Sequence, residues 1–214
     1  MNKKTIIILV LGLVVIASLI IVVLRNVGNE FSLLDYDESD ICTAQKVDLG
    51  LSVCWADWNV GASSPEDYGN YYAWGEITTK SEYSEETYQY SNIGTNICGT
   101  QYDVARAQWG GNWRLPTKAE MQELVDRCTW SWTTYKDVPG YKVTGPNGNS
   151  IFLPAAGCRY GTEIYYRGSY GYYWSGTLNE SNSYDAYGLY FGSSDRFVDY
   201  YFRENGLSVR PVSE

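Results

Sequence analysis

Residues 158–212 read CRYGTEIYYRGSYGYYWSGTLNESNSYDAYGLYFGSSDRFVDYYFRENGLSVRPV, and this stretch decides the fold. Its clearest local pattern is AYGLYFG, residues 186–192. Side chains of a strand alternate between two faces. Leu189 and Phe191 therefore fall on one face, and Gly188, Tyr190 and Gly192 on the other. The apolar pair is expected to enter the core and Tyr190 to point outward. Further strands are expected over 172–175, 197–203 and 207–212. Between Cys158 and Arg203 stand eleven tyrosines, mixed with Gly, Ser, Asn and Asp. Tyrosine offers a large amphipathic contact area with few rotors, and the small polar residues offer adaptable hydrogen bonds. Few acid–base groups stand among them, so the tail reads as a surface that grips.

Working outward, residues 141–144 and 150–153 flank GPNGN, where Asn147-Gly148 is a strong hairpin signal. SVCWADWNV, residues 52–60, is rich in strand formers. Two helices are predicted between these strands. TQYDVARAQW, residues 100–109, opens on Thr100 with Asp103 three residues later and stops at Gly110 and Gly111. RLPTKAEMQELVDRC, residues 114–128, has Thr117 as N-cap and Glu120 three residues on, a capping box. Its Met121, Leu124, Val125 and Cys128 share one apolar face. Two helices among short strands, without βαβ alternation, predict an α+β domain with a largely antiparallel sheet.

The other end of the chain is of a different kind. TIIILVLGLVVIASLIIVVL, residues 5–24, carries no charge. Twenty residues at ~1.5 Å rise cover the ~30 Å of a bilayer's hydrocarbon core. A cleaved signal peptide is the competing reading; its apolar region is usually shorter and ends in a small-x-small site. Lys3 and Lys4 precede the run, and Arg25 follows it, then Glu30, Asp35, Asp37, Glu38 and Asp40. The positive-inside tendency then sets the domain outside the cytoplasm, in the periplasm or at the cell surface. The expected organisation is a cytoplasmic stub and transmembrane anchor (1–25), an acidic linker (26–41) and a ligand-binding domain (42–214).

Several function classes are disfavoured. A net charge of −9 without a basic stripe argues against nucleic acid. The five cysteines contain no CxxC spacing and the chain has no histidine, so no metal site and no cofactor are expected. In an oxidising compartment Cys98 with Cys128 is the first choice for a disulfide, because each flanks a predicted helix. Without histidine, Ser-His-Asp, Cys-His and His-metal chemistry are all absent, and no catalytic residue is assigned. Glu76, Glu163 and Asp185 are the carboxylates that could be nominated for glycoside hydrolysis, but their spacing singles out none of them. Arg210, in an otherwise apolar run, is expected to form an ion pair or to bond carbonyls. Trp74, Trp109 and Trp113 are expected to be scaffold.

An ordered set of motifs resembles a known family. VDLGLSVCWADWNVGASSPEDYGNYYAWGE, QWGGNWRLPTKAEMQELVDRCTWSW, IFLPAAGCR, GYYWSGT and GLSVRPV are similar to the Fibrobacter succinogenes major paralogous domain family of gut Bacteroidetes. The resemblance covers residues 46–213. It implies a C-type-lectin-like domain, related to the formylglycine-generating-enzyme fold, whose first and last strands pair and whose C-terminal segment builds a ligand face. The Glu-Pro-Asn and Gln-Pro-Asp signatures of calcium-dependent sugar binding are absent. Domains of this type also serve as variable proteins of diversity-generating retroelements, in which adenines of a C-terminal repeat are mutagenised. Cys158, Leu207 and the twelve residues that follow are all reachable from an Asn codon in that way. The resemblance thereby nominates Tyr160, Tyr184, Asp185, Gly188, Tyr190, Gly192, Asp195, Phe197, Asp199, Tyr200, Tyr201 and Phe202 as ligand-binding residues, with Trp174, Leu189, Val209, Arg210 and Pro211 as framework. The expected function is membrane-anchored recognition of a protein or glycan ligand. The alternatives are a structural or adhesion component of the bacterial surface, and then a formylglycine-generating-type enzyme, whose paired reactive cysteines have no match here.

Overall fold

The computed structural model describes residues 44–214. The anchor over 5–24, the linker over 26–41 and Cys42 lie outside the described residues. Among the described residues, no helix is long and apolar enough to cross a membrane.

The Asn147-Gly148 turn makes the predicted hairpin. Gly148 takes φ +89°, a left-handed conformation that suits glycine. It joins β4 (Val138–Thr144) to β5 (Ser150–Pro154), and β3 (Thr129–Tyr135) completes an antiparallel three-stranded sheet in the order β3-β4-β5. A second such sheet is built from the tail: β8 (Gly171–Leu178), β9 (Asp185–Phe191) and β10 (Arg196–Phe202), with β9 in the middle. β6 (Cys158–Tyr160) and β7 (Glu163–Tyr165) form a two-stranded ribbon. β1 (Lys46–Val47) and β11 (Val212–Ser213) both pair with β2 (Cys54–Ala56), so the first and last described strands flank one neighbour.

Two segments carry less regular strand than expected. Of 52–60, only β2 is extended in a ladder. Of 207–212, only Val212 enters a named strand. The remainder is pinned by isolated backbone bonds on both sides: Tyr72 and Leu207 exchange N–H to carbonyl bonds at 3.0 Å, Trp174 N–H donates to Ser208 O at 2.9 Å and Val60 N–H to Val209 O at 3.0 Å. Pro211, which has no N–H, supplies only its carbonyl, to Ala56 at 2.9 Å.

The helices are α1 (Val104–Trp109) and α2 (Lys118–Arg127). α1 starts later than expected. Its cap is Asp103, not Thr100: the Asp103 carboxylate accepts from Ala105 N (2.9 Å) and Arg106 N (3.2 Å), and also from Gly99 N (2.7 Å) and Leu115 N (2.8 Å). Four backbone donors outweigh one hydroxyl, and Thr100 instead donates to Ile97 O. Gly110 ends the helix at φ +66°. In α2 the capping box is in place. Glu120 N–H donates to Thr117 Oγ1 at 3.2 Å and Thr117 N–H donates to Glu120 Oε2 at 2.7 Å. Arg114 holds both Glu120 oxygens, at 2.8 and 2.7 Å.

α2 buries Met121 and Leu124 against Tyr141, Val143, Ile151 and Leu153 of the first sheet and Tyr173, Leu189 and Phe191 of the second. A second cluster gathers Trp74, Ile97, Val104, Leu115, Trp174, Ala186 and Val209. Trp74 is thus buried scaffold, while Trp109 and Trp113 are half-buried and meet edge to face at 5.3 Å. The cysteine pairing is corrected. Cys54, Cys98, Cys128 and Cys158 are all free thiols, because Cys98 packs on the second cluster and Cys128 lies in the first. Burial pushes the Cys98 thiol up to about 12 and the Cys158 thiol up to about 11. Arg210 is wholly buried and bonds neutral oxygens: Asn59 Oδ1 at 2.8 Å, Ala56 O at 3.1 Å and Phe152 O at 2.9 Å. Desolvation lowers its pKa from the usual arginine value to about 10.

Candidate functional site

The site is read from the register of β8–β10. Phe197 stands opposite Tyr190, and Tyr190 opposite Tyr172; Asp199 stands opposite Gly188, and Gly188 opposite Trp174. Paired residues share a face, and neighbours along a strand alternate. One face therefore carries Tyr172, Gly188, Tyr190, Phe197, Asp199 and Tyr201. The other carries Tyr173, Leu189, Phe191 and Val198 in the first core, and Asp185, Tyr187, Tyr200 and Phe202 further along. Leu189 and Phe191 are buried as expected, and Tyr190 is half-buried on the opposite side.

Twelve residues expected on one surface are thus divided by the sheet. Tyr190, Phe197, Asp199 and Tyr201 share a face with Gly188. Tyr200 and Phe202 lie on the reverse, exposed by 53% and 56%. Asp185, Gly188 and Gly192 are buried, and Asp185 accepts a bond from Asn182 Nδ2 at 2.8 Å. Tyr160 and Tyr184 are exposed but touch no other ring among the described residues. Asp195 is exposed in the turn between β9 and β10, where its carbonyl accepts from Gly192 N at 2.9 Å.

The shared face is continuous with rings that the motif reading did not select. Tyr170 stacks on Tyr190 at 5.6 Å, and Tyr172 meets Tyr190 at 5.3 Å and Tyr201 at 5.5 Å, both edge to face. Phe197 lies 4.8 Å from Tyr190. Tyr166 extends the patch, 5.4 Å from Tyr170 and 6.5 Å from Tyr172. Each such pair contributes ~0.5–1.5 kcal/mol beyond its area burial, so the surface holds its own shape. The glycines make room for it. A Cβ at Gly192 would stand 3.0 Å from the Tyr170 ring, and a Cβ at Gly188 would stand 2.7 Å from Tyr173 O and 3.2 Å from the Tyr201 ring. Gly192, where a Cβ would meet the Tyr170 ring, is the signal in the sequence that could have led to Tyr170.

Burial raises the phenol pKa values of Tyr172 and Tyr201, and more modestly that of Tyr190. The hydroxyls are neutral donors and acceptors in ordinary buffers. Asp195 and Asp199 supply the negative charge of this end; the Asp199 carboxylate accepts from Tyr200 N at 2.9 Å. The arrangement can stack flat or apolar groups and exchange hydrogen bonds. On the reverse face Tyr187 meets Tyr200 at 6.4 Å, and Lys118 Nζ sits 3.5 Å above the Tyr187 ring.

The three nominated carboxylates do not converge. Glu76 is buried and paired with Lys80 at 2.9 Å, Asp185 is bonded as above, and Glu163 is exposed on β7. A cavity of about 420 Å³ lies against the first sheet, lined by Asp57, Tyr135, Lys142 and Phe152 among others, and none of the twelve residues borders it.

Comparison with curated proteins and with solved structures gives no match. The family model described as the Lcl C-terminal domain matches residues 73–213, which take in α1, α2, both large sheets and every ring of the aromatic face. The chain belongs to the Lcl C-terminal domain family.

Proposed function

We propose that the domain is a recognition module, and that it holds a protein or glycan ligand on the face formed by Tyr166, Tyr170, Tyr172, Tyr190, Phe197 and Tyr201. The observation that carries this reading is the ring-to-ring patch itself. Tyr166 and Phe197 are exposed by 56% and 43%, yet both are held by aromatic neighbours. Solvent-facing rings fixed in place lose little freedom on binding. Membership of the Lcl C-terminal domain family agrees with a surface-associated recognition role. In the same proposal, residues 5–24 anchor the chain and the domain stands outside the cytoplasm. The resemblance to the Fibrobacter paralogous family adds a finer reading, in which the tail is a target of a diversity-generating retroelement.

Arrays of bacterial surface glycans and of surface proteins, probed with the full chain, test the first part. Binding that falls at least tenfold in Tyr190→Ala/Phe197→Ser, about two ring contacts' worth, and stays intact in Tyr184→Ala supports it. Equal binding by both variants removes the site. The retroelement reading expects a near-copy of the gene's 3′ end in neighbouring DNA, differing at adenines; a genome without one ends that part.

A further inference from the structure

β10 is an open edge. Among the described residues only β9 pairs with it. Two backbone bonds bracket that ladder: Gly192 N–H to Asp195 O at 2.9 Å, and Arg203 N–H to Tyr184 O at 3.0 Å. In an antiparallel pair, residues bonded to the neighbour alternate with residues turned away from it. In this register Phe197, Asp199 and Tyr201 bond to β9. Arg196, Val198 and Tyr200 direct their N–H and C=O groups to the open side. Tyr200 shows this directly, since its N–H turns from β9 and is held by the Asp199 carboxylate at 2.9 Å, a local bond that a pairing strand has to replace. Natural edges are usually guarded by charges, above all lysine, by proline or by a bulge, and β10 carries only Arg196 and Asp199. RFVDYYF has no lysine and no proline, and it runs seven residues with Phe197, Tyr200 and Phe202 exposed.

We propose that β10 pairs with β10 of a second copy of this chain, antiparallel and about a two-fold axis at Val198, joining the two sheets into one. The strand is self-complementary, Arg196 matching Tyr200 about Val198, which selects a second copy, and the charges select the register. An axis at Arg196 or Asp199 sets like charges against each other, and one at Phe197 sets Asp195 against Asp199. An axis at Tyr200 or beyond needs Phe202, whose carbonyl already accepts from Asn205 N at 3.0 Å. At Val198 the conflict disappears. Arg196 faces Tyr200 of the second copy, twice by symmetry, and Phe197 faces Asp199. Arg196 is suited to this pairing: its guanidinium lies 5.5 Å over the Trp130 ring, and its Nε is buried with no hydrogen-bond partner among the described residues. Arg196 and Tyr200 point to the same side of the sheet as their opposite numbers, so a cation can meet a ring across the seam.

Analytical ultracentrifugation of the full chain in detergent is the test, with near-ultraviolet circular dichroism confirming that each variant folds. A concentration-dependent dimer is expected. Tyr200→Lys, which sets two cations across the seam, should weaken it by about tenfold or more. Arg196→Glu added to that variant should restore the dimer by reversing the charge. Amide exchange gives a second reading: the Val198 N–H should exchange slowly in the dimer and quickly in Tyr200→Lys. A monomer at every concentration, association untouched by Tyr200→Lys, no recovery in the double variant, or an edge that takes up only an extended peptide of another protein overturns the proposal.

Discussion

At Gly188 a hydrogen stands where any other residue would carry a methyl. A Cβ there would press on Tyr173 O, which belongs to the backbone of the adjacent strand, and on the Tyr201 ring. The ring can shift; the carbonyl is held in a ladder. Gly188→Ala should cost about 1–3 kcal/mol, the usual range for overpacking a core, measured as a lower urea midpoint at unchanged slope. A stability equal to wild type would show that the strands separate freely at this point, and position 188 could then vary without penalty. Gly192 is more forgiving, because a Cβ there meets only the Asp195 carboxylate and the edge of Tyr170, both 3.0 Å away. The two glycines thus differ in what holds them small, although both were nominated for the same role.

At the scale of elements, α2 shows how local signals carry. Thr117 and Glu120 cap each other across the first turn, and Arg114 holds Glu120 from the loop before it. Thr117→Ala leaves Glu120 N–H without its acceptor and should lower stability by about 1 kcal/mol, seen in thermal or urea unfolding; an effect within error would mean that Arg114 and Glu120 hold the turn alone. This helix, the Asn147-Gly148 hairpin and the alternation of Leu189 and Phe191 were all legible in the sequence, because each depends on residues within one or two turns of chain. Residues 207–212 were not. They look like a strand, but Pro211 lacks a donor, and the run is tied by isolated bonds to Ala56, Val60 and Tyr72 from the first part of the domain and to Tyr172 and Trp174 of β8. The division of the tyrosines was half legible. The same period-two rule that placed Leu189 also separates Tyr201 from Tyr200 and Phe202. That Tyr172 lies beside Tyr190 depends on the pairing of β8 with β9, which shifts register between Trp174 and Leu178 and leaves no local mark.

Across the whole molecule, tyrosine is a core residue as well as a surface one. Burial raises the pKa of Tyr71, Tyr72, Tyr83, Tyr88, Tyr172, Tyr173 and Tyr201 above the ordinary value of 10.0. Raised in the folded state, these phenols hold their protons longer than in the unfolded chain. Their contribution is complete below pH 10, the unfolded value, and is lost as pH climbs above it. Stability should therefore fall steeply above that pH, and the ultraviolet tyrosinate band should appear in two stages, exposed rings first and buried rings on unfolding. A single smooth titration without loss of near-ultraviolet ellipticity would contradict it. Without histidine, and with the described cysteines free, neutral pH and mild reductants offer the fold few handles of their own.

The seam at β2 bears on how the molecule can be cut and rejoined. β1 and β11 flank the same strand, and Lys46 Nζ donates to Glu214 O at 3.0 Å. A short loop could join these neighbouring ends, and new termini could be opened in the exposed Asn147-Gly148 turn. Such a circular permutant would interrupt neither α2 nor the β8–β10 sheet. In such a permutant of the described domain the aromatic face would keep its whole sheet, and positions 46 and 214 would offer two attachment points that lie together.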